Sequence, residues 1–159
     1  MKKINVVLVF AFFLLAANLY GQAVLVRPGG SVGYCQADDM QGLSYTYGIK
    51  ILLMSNDFQR YGIKVDHFNI LADEKQSYLT TGIFIEQVLF KFFSMGIGTV
   101  GYINTIDWGE NPFGLYTHLG FEHNFTKWFS IVAAYQSDFI FRRSFTMNSA
   151  FLLEIGFRF

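Results

Sequence analysis

Over residues 43–53, large apolar side chains take every second position. Leu43, Tyr45, Tyr47, Ile49, Ile51 and Leu53 alternate with Ser44, Thr46, Gly48, Lys50 and Leu52. A side-chain period of two is that of a β-strand, and a face made only of large apolar groups has to be buried in something. The same alternation returns over 59–70, 77–90, 94–104, 113–125 and 128–137, and from about Thr146 to the end. A weaker stretch over 24–36, interrupted by Pro28, Gly29 and Gly30, serves as the first strand. The final stretch is the clearest. It carries Phe151, Leu153, Ile155, Phe157 and Phe159 on one face and Leu152, Glu154, Gly156 and Arg158 on the other.

These stretches make eight strands of roughly 10–13 residues, close to what a tilted strand needs to cross a bilayer. An even number of strands leaves both ends of the sheet on one side. The turns after strands two, four and six read as short. The loop over 105–112, and less clearly those after strands one and seven, read as longer, the last of them taken as 138–145 with Arg142 and Arg143. Aromatic residues gather beside the short turns: Phe58, Tyr61, Phe90, Phe92, Phe93, Phe125, Trp128 and Phe129. Rings of this kind sit at membrane interfaces. The expected fold is all-β: an eight-stranded antiparallel up-and-down transmembrane β-barrel, preceded by a cleavable signal peptide. A soluble barrel of the lipocalin type is the competing architecture. It requires an apolar interior, whereas here the continuous apolar face is opposed by Gly, Ser, Thr and charges.

The start of the chain has a separate role. Met1-Lys2-Lys3 is a short basic region, Ile4 to Leu15 is apolar apart from Asn5, and small or polar residues follow. That apolar core is shorter than the roughly 20 residues a membrane helix requires, so the segment reads as a Sec-type signal peptide. The division is residues 1–21 for the signal, with cleavage near 21–23, and 22–159 for the barrel. Without Lys2 and Lys3, ten basic residues face twelve acidic ones, a net charge of −2. No basic patch points to nucleic acid. One cysteine, Cys35, excludes an intrachain disulfide and is expected at the inner face or rim of the first strand. Nineteen Phe and nine Tyr are more large rings than a soluble core of this size can hide.

The charged residues on the inward parity are Lys50, Arg60, Lys64, Asp66, Glu86, Glu122, Glu154 and Arg158, with His118 among them. Buried charges are costly unless paired, so their mixed signs predict a compensated polar network in the lumen. An ion or solute path is the alternative, but eight strands enclose a space that side chains can fill. A lipid-modifying enzyme resembling the lipid A deacylases of the PagL type would need His and Ser two apart on one lipid-facing strand, with an acid nearby to orient the His. The three histidines, in His67-Phe68-Asn69, His118-Leu119-Gly120 and His123-Asn124-Phe125, lack that spacing, and His67 falls outward near the outer rim. No catalytic residue, cofactor or metal ligand is expected.

With its apolar outer face, charged inner face and closing Phe159, the C-terminal strand resembles the last strand of small bacterial outer-membrane β-barrel proteins of the OmpA-transmembrane, OmpX and OmpW kind. That resemblance covers the mature chain. It implies that Phe151, Leu153, Ile155, Phe157 and Phe159 form the signal read by the barrel-assembly machinery. It also implies an outer-membrane location, outer-membrane lipids as neighbours and a monomer whose loops meet an external ligand. No periplasmic peptidoglycan-binding domain is expected. The expected role is structural or surface-interacting, without catalysis.

Overall fold

The computed structural model describes residues 23–36, 41–56, 58–72, 76–106, 111–142 and 145–159. The signal-peptide segment, its cleavage site and the centre of the 105–112 loop lie outside the described residues. Eight strands follow one another: β1 (Ala23–Gln36), β2 (Gln41–Met54), β3 (Gln59–Leu71), β4 (Gln76–Leu89), β5 (Phe93–Asn104), β6 (Phe113–Asn124), β7 (Phe129–Phe141) and β8 (Phe145–Arg158). Each pairs antiparallel with the next, and β1 pairs with β8, so the sheet closes on itself and leaves no edge. At about 3.4 Å per residue, strands of twelve to fourteen residues run about 40 Å or more, enough to cross a bilayer at a tilt.

Closure runs to the last residue. Val24 N donates to Phe159 O at 3.1 Å, and Phe159 N donates to Val24 O at 2.8 Å. β1 meets β8 at Leu25 and Val26 and again from Gly29 to Gln36 in one constant register, with Arg27 and Pro28 falling between. Proline has no N–H for the ladder, which accounts for a gap at this point of the seam.

Parity follows the alternation. Leu43, Tyr47, Ile49, Tyr61, Val65, Ile83, Ile97, Leu119, Phe121 and all of Phe151, Leu153, Ile155, Phe157 and Phe159 are exposed on the outside. Their neighbours in sequence point in. At the end holding the chain terminus, Phe58, Phe90, Phe92, Phe125, Trp128 and Phe159 are exposed rings. Phe113, Phe141 and Phe145 form a second set at the loop end, with ring centroids 5.4 Å apart for Phe113–Phe141 and 6.1 Å for Phe141–Phe145.

Three readings of the connections need correction. β7 continues to Phe141, so only residues 142–144 join it to β8. The expected 138–145 loop is mostly strand because Gln136, Asp138 and Ile140 alternate inward with Tyr135 and Phe139. The connection after β1 is only 37–40, leaving 105–112 as the one link between the described strands longer than four residues. The turn after β4 is Phe90–Phe92, one residue earlier than the Lys91–Phe93 expected. Phe90 (φ 53°) and Lys91 (φ 66°) both lie in the left-handed region there. Two successive positive φ values, with Phe92 N donating to Leu89 O at 3.3 Å, are those of the central pair of a type I′ turn, whose twist matches that of the strands.

Candidate functional site

The barrel interior is the candidate site, and the cross-strand register assembles it. Arg27 on β1 stands opposite Lys50 on β2, Lys50 opposite Lys64 on β3, and Arg60 opposite Glu86 on β4. Toward the terminal end, Arg27 donates from Nη1 to Glu86 Oε2 at 2.7 Å and from Nη2 to Glu122 Oε2 at 2.9 Å. Arg60 Nη1 reaches the same two carboxylates, at 2.8 Å to Glu86 Oε1 and 2.6 Å to Glu122 Oε2. His118 Nε2 lies 3.1 Å from Glu86 Oε2. Two guanidinium groups and two carboxylates thus close a ring across the lumen, and all four side chains are buried.

At mid-height Lys50 pairs with Glu154 and donates to Tyr116 Oη at 2.7 Å, while Tyr116 Oη is 2.9 Å from His118 Nδ1. The Lys64 ammonium lies 4.1 Å from the centre of the Tyr116 ring, within cation–π range. It pairs with Asp66 at 3.0 Å and lies 4.0 Å from Asp138. Gln136 and Asn148 donate to Asp138 Oδ2 at 2.7 and 3.2 Å, and Ser44 donates to Asn148 Oδ1. The polar column therefore runs unbroken through most of the barrel.

Apolar groups seal both ends of the column. Toward the loops, Phe68, Tyr78 and Tyr102 pack ring against ring at 5.8–6.2 Å, beside Cys35, Ile70 and Ile140. Toward the termini, Leu25, Leu52 and Met54 are buried. A void of about 10 Å³ remains beside Arg27, Gly29, Lys50, Asp66, Gln136 and Glu154. That is the threshold for a single water. Four cations (Arg27, Lys50, Arg60 and Lys64) face five carboxylates (Asp66, Glu86, Glu122, Asp138 and Glu154), with His118 against Glu86. Such a set nearly balances its charge, with one carboxylate in excess of the four cations, and fills space.

Of the inward residues expected from sequence, Lys50, Arg60, Lys64, Asp66, Glu86, His118, Glu122 and Glu154 meet in this column. Arg158 does not. It is half-exposed at the terminal rim and makes no ion pair among the described residues. Arg27, the residue with most carboxylate partners, was missed, because Pro28, Gly29 and Gly30 interrupt the alternation of its strand. Asp138 was missed because it was assigned to a loop. For both, the parity of β1 and β7 carried past the interruption is the signal that finds them.

An eight-stranded, closed barrel with an apolar exterior and a charged interior is the fold of small bacterial outer-membrane barrels. Three solved structures show the likeness. Neisserial surface protein A is 12% identical with a TM-score of 0.61, covering 86% of this chain and 97% of that one. Ail, the attachment invasion locus protein of Yersinia pestis, is 14% identical with a TM-score of 0.54, covering 87% and 99%. The outer membrane protein AlkL in DMPC lipid bilayers is 8% identical with a TM-score of 0.54, covering 87% and 90%. At these identities the likeness is one of fold. No protein-family model matches the chain, and no curated protein matches it.

Proposed function

We propose that the protein is an integral outer-membrane barrel with a structural or surface-interacting role and a closed, non-conducting interior. One observation carries this reading: the outside is a belt of exposed Leu, Ile, Val and aromatic side chains, while the charges are locked against one another inside. A belt of that kind is stable only in lipid. A Sec-type signal would deliver the chain, and the terminal strand, with Phe151, Leu153, Ile155, Phe157 and Phe159 outward, would present the signal for the assembly machinery. The barrel acts as a monomer in this reading, and an external ligand would meet the 105–112 loop. A narrow channel is the other reading. The ion-paired column and the small void oppose it.

Planar-bilayer recording on the refolded full chain separates the two. The expected outcome is a protein that shifts mobility on unboiled gels, inserts into vesicles and gives no discrete conductance steps. Regular openings would overturn the closed-lumen reading. Recovery as a detergent-free soluble monomer would overturn the membrane reading.

A further inference from the structure

Three polar side chains occupy outward positions on β3 and β4 near the loop end, where the parity otherwise places apolar groups. His67 is half-buried, and Asn69 and Ser77 are 3% and 6% exposed. Asn69 stands directly opposite Ser77 across the two strands, with His67 one step below it on the same face. His67 Nε2 lies 3.3 Å from Ser77 Oγ, and His67 Nδ1 lies 2.7 Å from the Asn69 amide. Tyr47 stacks on the imidazole with ring centroids 5.2 Å apart and planes 20° from parallel, fixing its orientation. The imidazole thus contacts the hydroxyl through one ring nitrogen and the orienting group through the other, the order of contacts nucleophilic acyl transfer requires.

We propose that Ser77, His67 and Asn69 form a lipid-facing serine hydrolase site that cleaves an acyl ester of a membrane lipid lying against the barrel. Half a turn of the Asn69 amide puts Oδ1 where Nδ2 stands, with the same contact. Nδ1–H then donates to Oδ1 and Nε2 faces the serine as a base. Ser77 Oγ attacks the ester carbonyl carbon, and its proton passes to Nε2. Collapse of the tetrahedral adduct expels the alcohol, which takes that proton. Water, delivered by the same base, then cleaves the acyl-serine and releases a fatty acid. The net change is ester plus water to acid plus alcohol. Thr105 Oγ1 lies 3.0 Å from the Ser77 carbonyl oxygen and 3.1 Å from Ser77 Oγ, and turned away from the carbonyl it is the hydroxyl placed to donate to the oxyanion.

The surface beneath the triad suits an acyl chain. An apolar groove on the outer face of β3, β4 and β5 runs past Ile63, Ile83, Thr99 and Gly101, where a Cβ would meet only the Thr81 carbonyl oxygen, at 3.8 Å. Ile63 lies four residues below His67, about 13 Å along the strand. Half the hydrocarbon thickness of a bilayer is about 15 Å. A chain lying in this groove would bring its ester to the level of Ser77. No histidine has serine two residues away in sequence; the fold supplies the serine from across the sheet instead.

The test incubates the refolded full chain with phosphatidylethanolamine–phosphatidylglycerol vesicles in one arm and lipopolysaccharide-bearing vesicles in the other, with released fatty acids counted by mass spectrometry. Release in the first arm alone identifies a glycerophospholipid substrate, release in the second alone a saccharolipid, and release in both a site that reads only the ester and chain. Ser77→Ala and His67→Ala should each lower release by about 10²–10⁴-fold. Gel mobility checks that each variant is folded. A fluorophosphonate should label the unsubstituted protein on Ser77, a readout that needs no variant. Asn69 is a positioning residue: Asn69→Ala should lower release, and Asn69→Asp should restore it by enforcing the Nδ1–H tautomer. Release from neither lipid, undiminished release from Ser77→Ala, or a fluorophosphonate label that avoids Ser77 overturns the proposal. Conductance and fatty-acid release are separate readouts, so this site and the closed lumen stand or fall independently.

Discussion

Replacing Arg27 with methionine should destabilise the folded barrel by about 3–5 kcal/mol, the usual cost of breaking a buried ion pair from one side. The magnitude follows from the contacts. Arg27 makes two charge-assisted hydrogen bonds, to Glu86 at 2.7 Å and Glu122 at 2.9 Å, and lies 3.9 Å from Glu154. The Arg27 and Glu86 side chains are fully excluded from solvent. Each such hydrogen bond contributes about 1.5–3 kcal/mol, and methionine keeps most of the packing of the arginine stem. Arg60 still touches both carboxylates, at 2.8 and 2.6 Å, which places the expected loss in the lower half of the range. Adding Glu86→Gln should then cost less than it does in the unsubstituted protein, with a coupling of about 0.5–3 kcal/mol. Urea titrations of reversible folding into vesicles, followed by tryptophan fluorescence, give all four corners of the cycle. A loss below about 1 kcal/mol for Arg27→Met, or additive effects of the two changes, would show that the charges are not coupled as the distances imply.

Arginine placed along the outward face of β8 should destabilise in the order Leu153→Arg, Ile155→Arg, Phe157→Arg. The cost is about 2–4 kcal/mol at the bilayer midplane and falls toward the interface; a flat series in the same urea assay would refute the lipid-facing parity. Lys91→Gly should stabilise the hairpin after β4 by about 1–2 kcal/mol, because a left-handed residue with a side chain is replaced by one without that steric penalty. Phe159→Ser keeps both backbone hydrogen bonds to Val24 and should impair assembly in cells more than refolding into vesicles. Deleting Phe159 removes those bonds and should impair both.

The strand count and the facing of most residues were legible in the chain because one medium demands one kind of side chain. A barrel surrounded by lipid displays its apolar set on a single parity, so β2 and β8 could be read without knowing their partners. What resisted reading depends on cross-strand register. Arg27 is a lone charge in an interrupted strand until pairing sets it opposite Lys50 and beside Glu86. Asp138, next to an apolar run and ahead of Arg142, resembles a loop residue until the pairing of β6 with β7 through Phe113 and Phe141 shows the strand continuing. Ser77 and His67 are ten residues apart, and no spacing rule along the chain joins them. The hairpin between β3 and β4 brings them together.

The inward glycines show how sequence and register combine. Phe84 lies between Gly62 on β3 and Gly98 on β5, its partners in the two ladders. A Cβ at Gly62 would strike the Phe84 ring, and one at Gly96 would strike the ring of His118, its own partner. Lys64 likewise stands opposite Gly82, Asp66 opposite Gly48, and Tyr116 opposite Gly98. Each large or charged luminal side chain named here has a glycine beside it on the adjacent strand, and that vacancy lets it lie across the sheet instead of colliding at the axis. Alternation of large residue and glycine between neighbouring strands is therefore how a narrow barrel holds an ion-paired column at close packing. It also accounts for the small size, about 10 Å³, of the void beside Arg27 and Glu154, the packing on which the proposed closed interior rests.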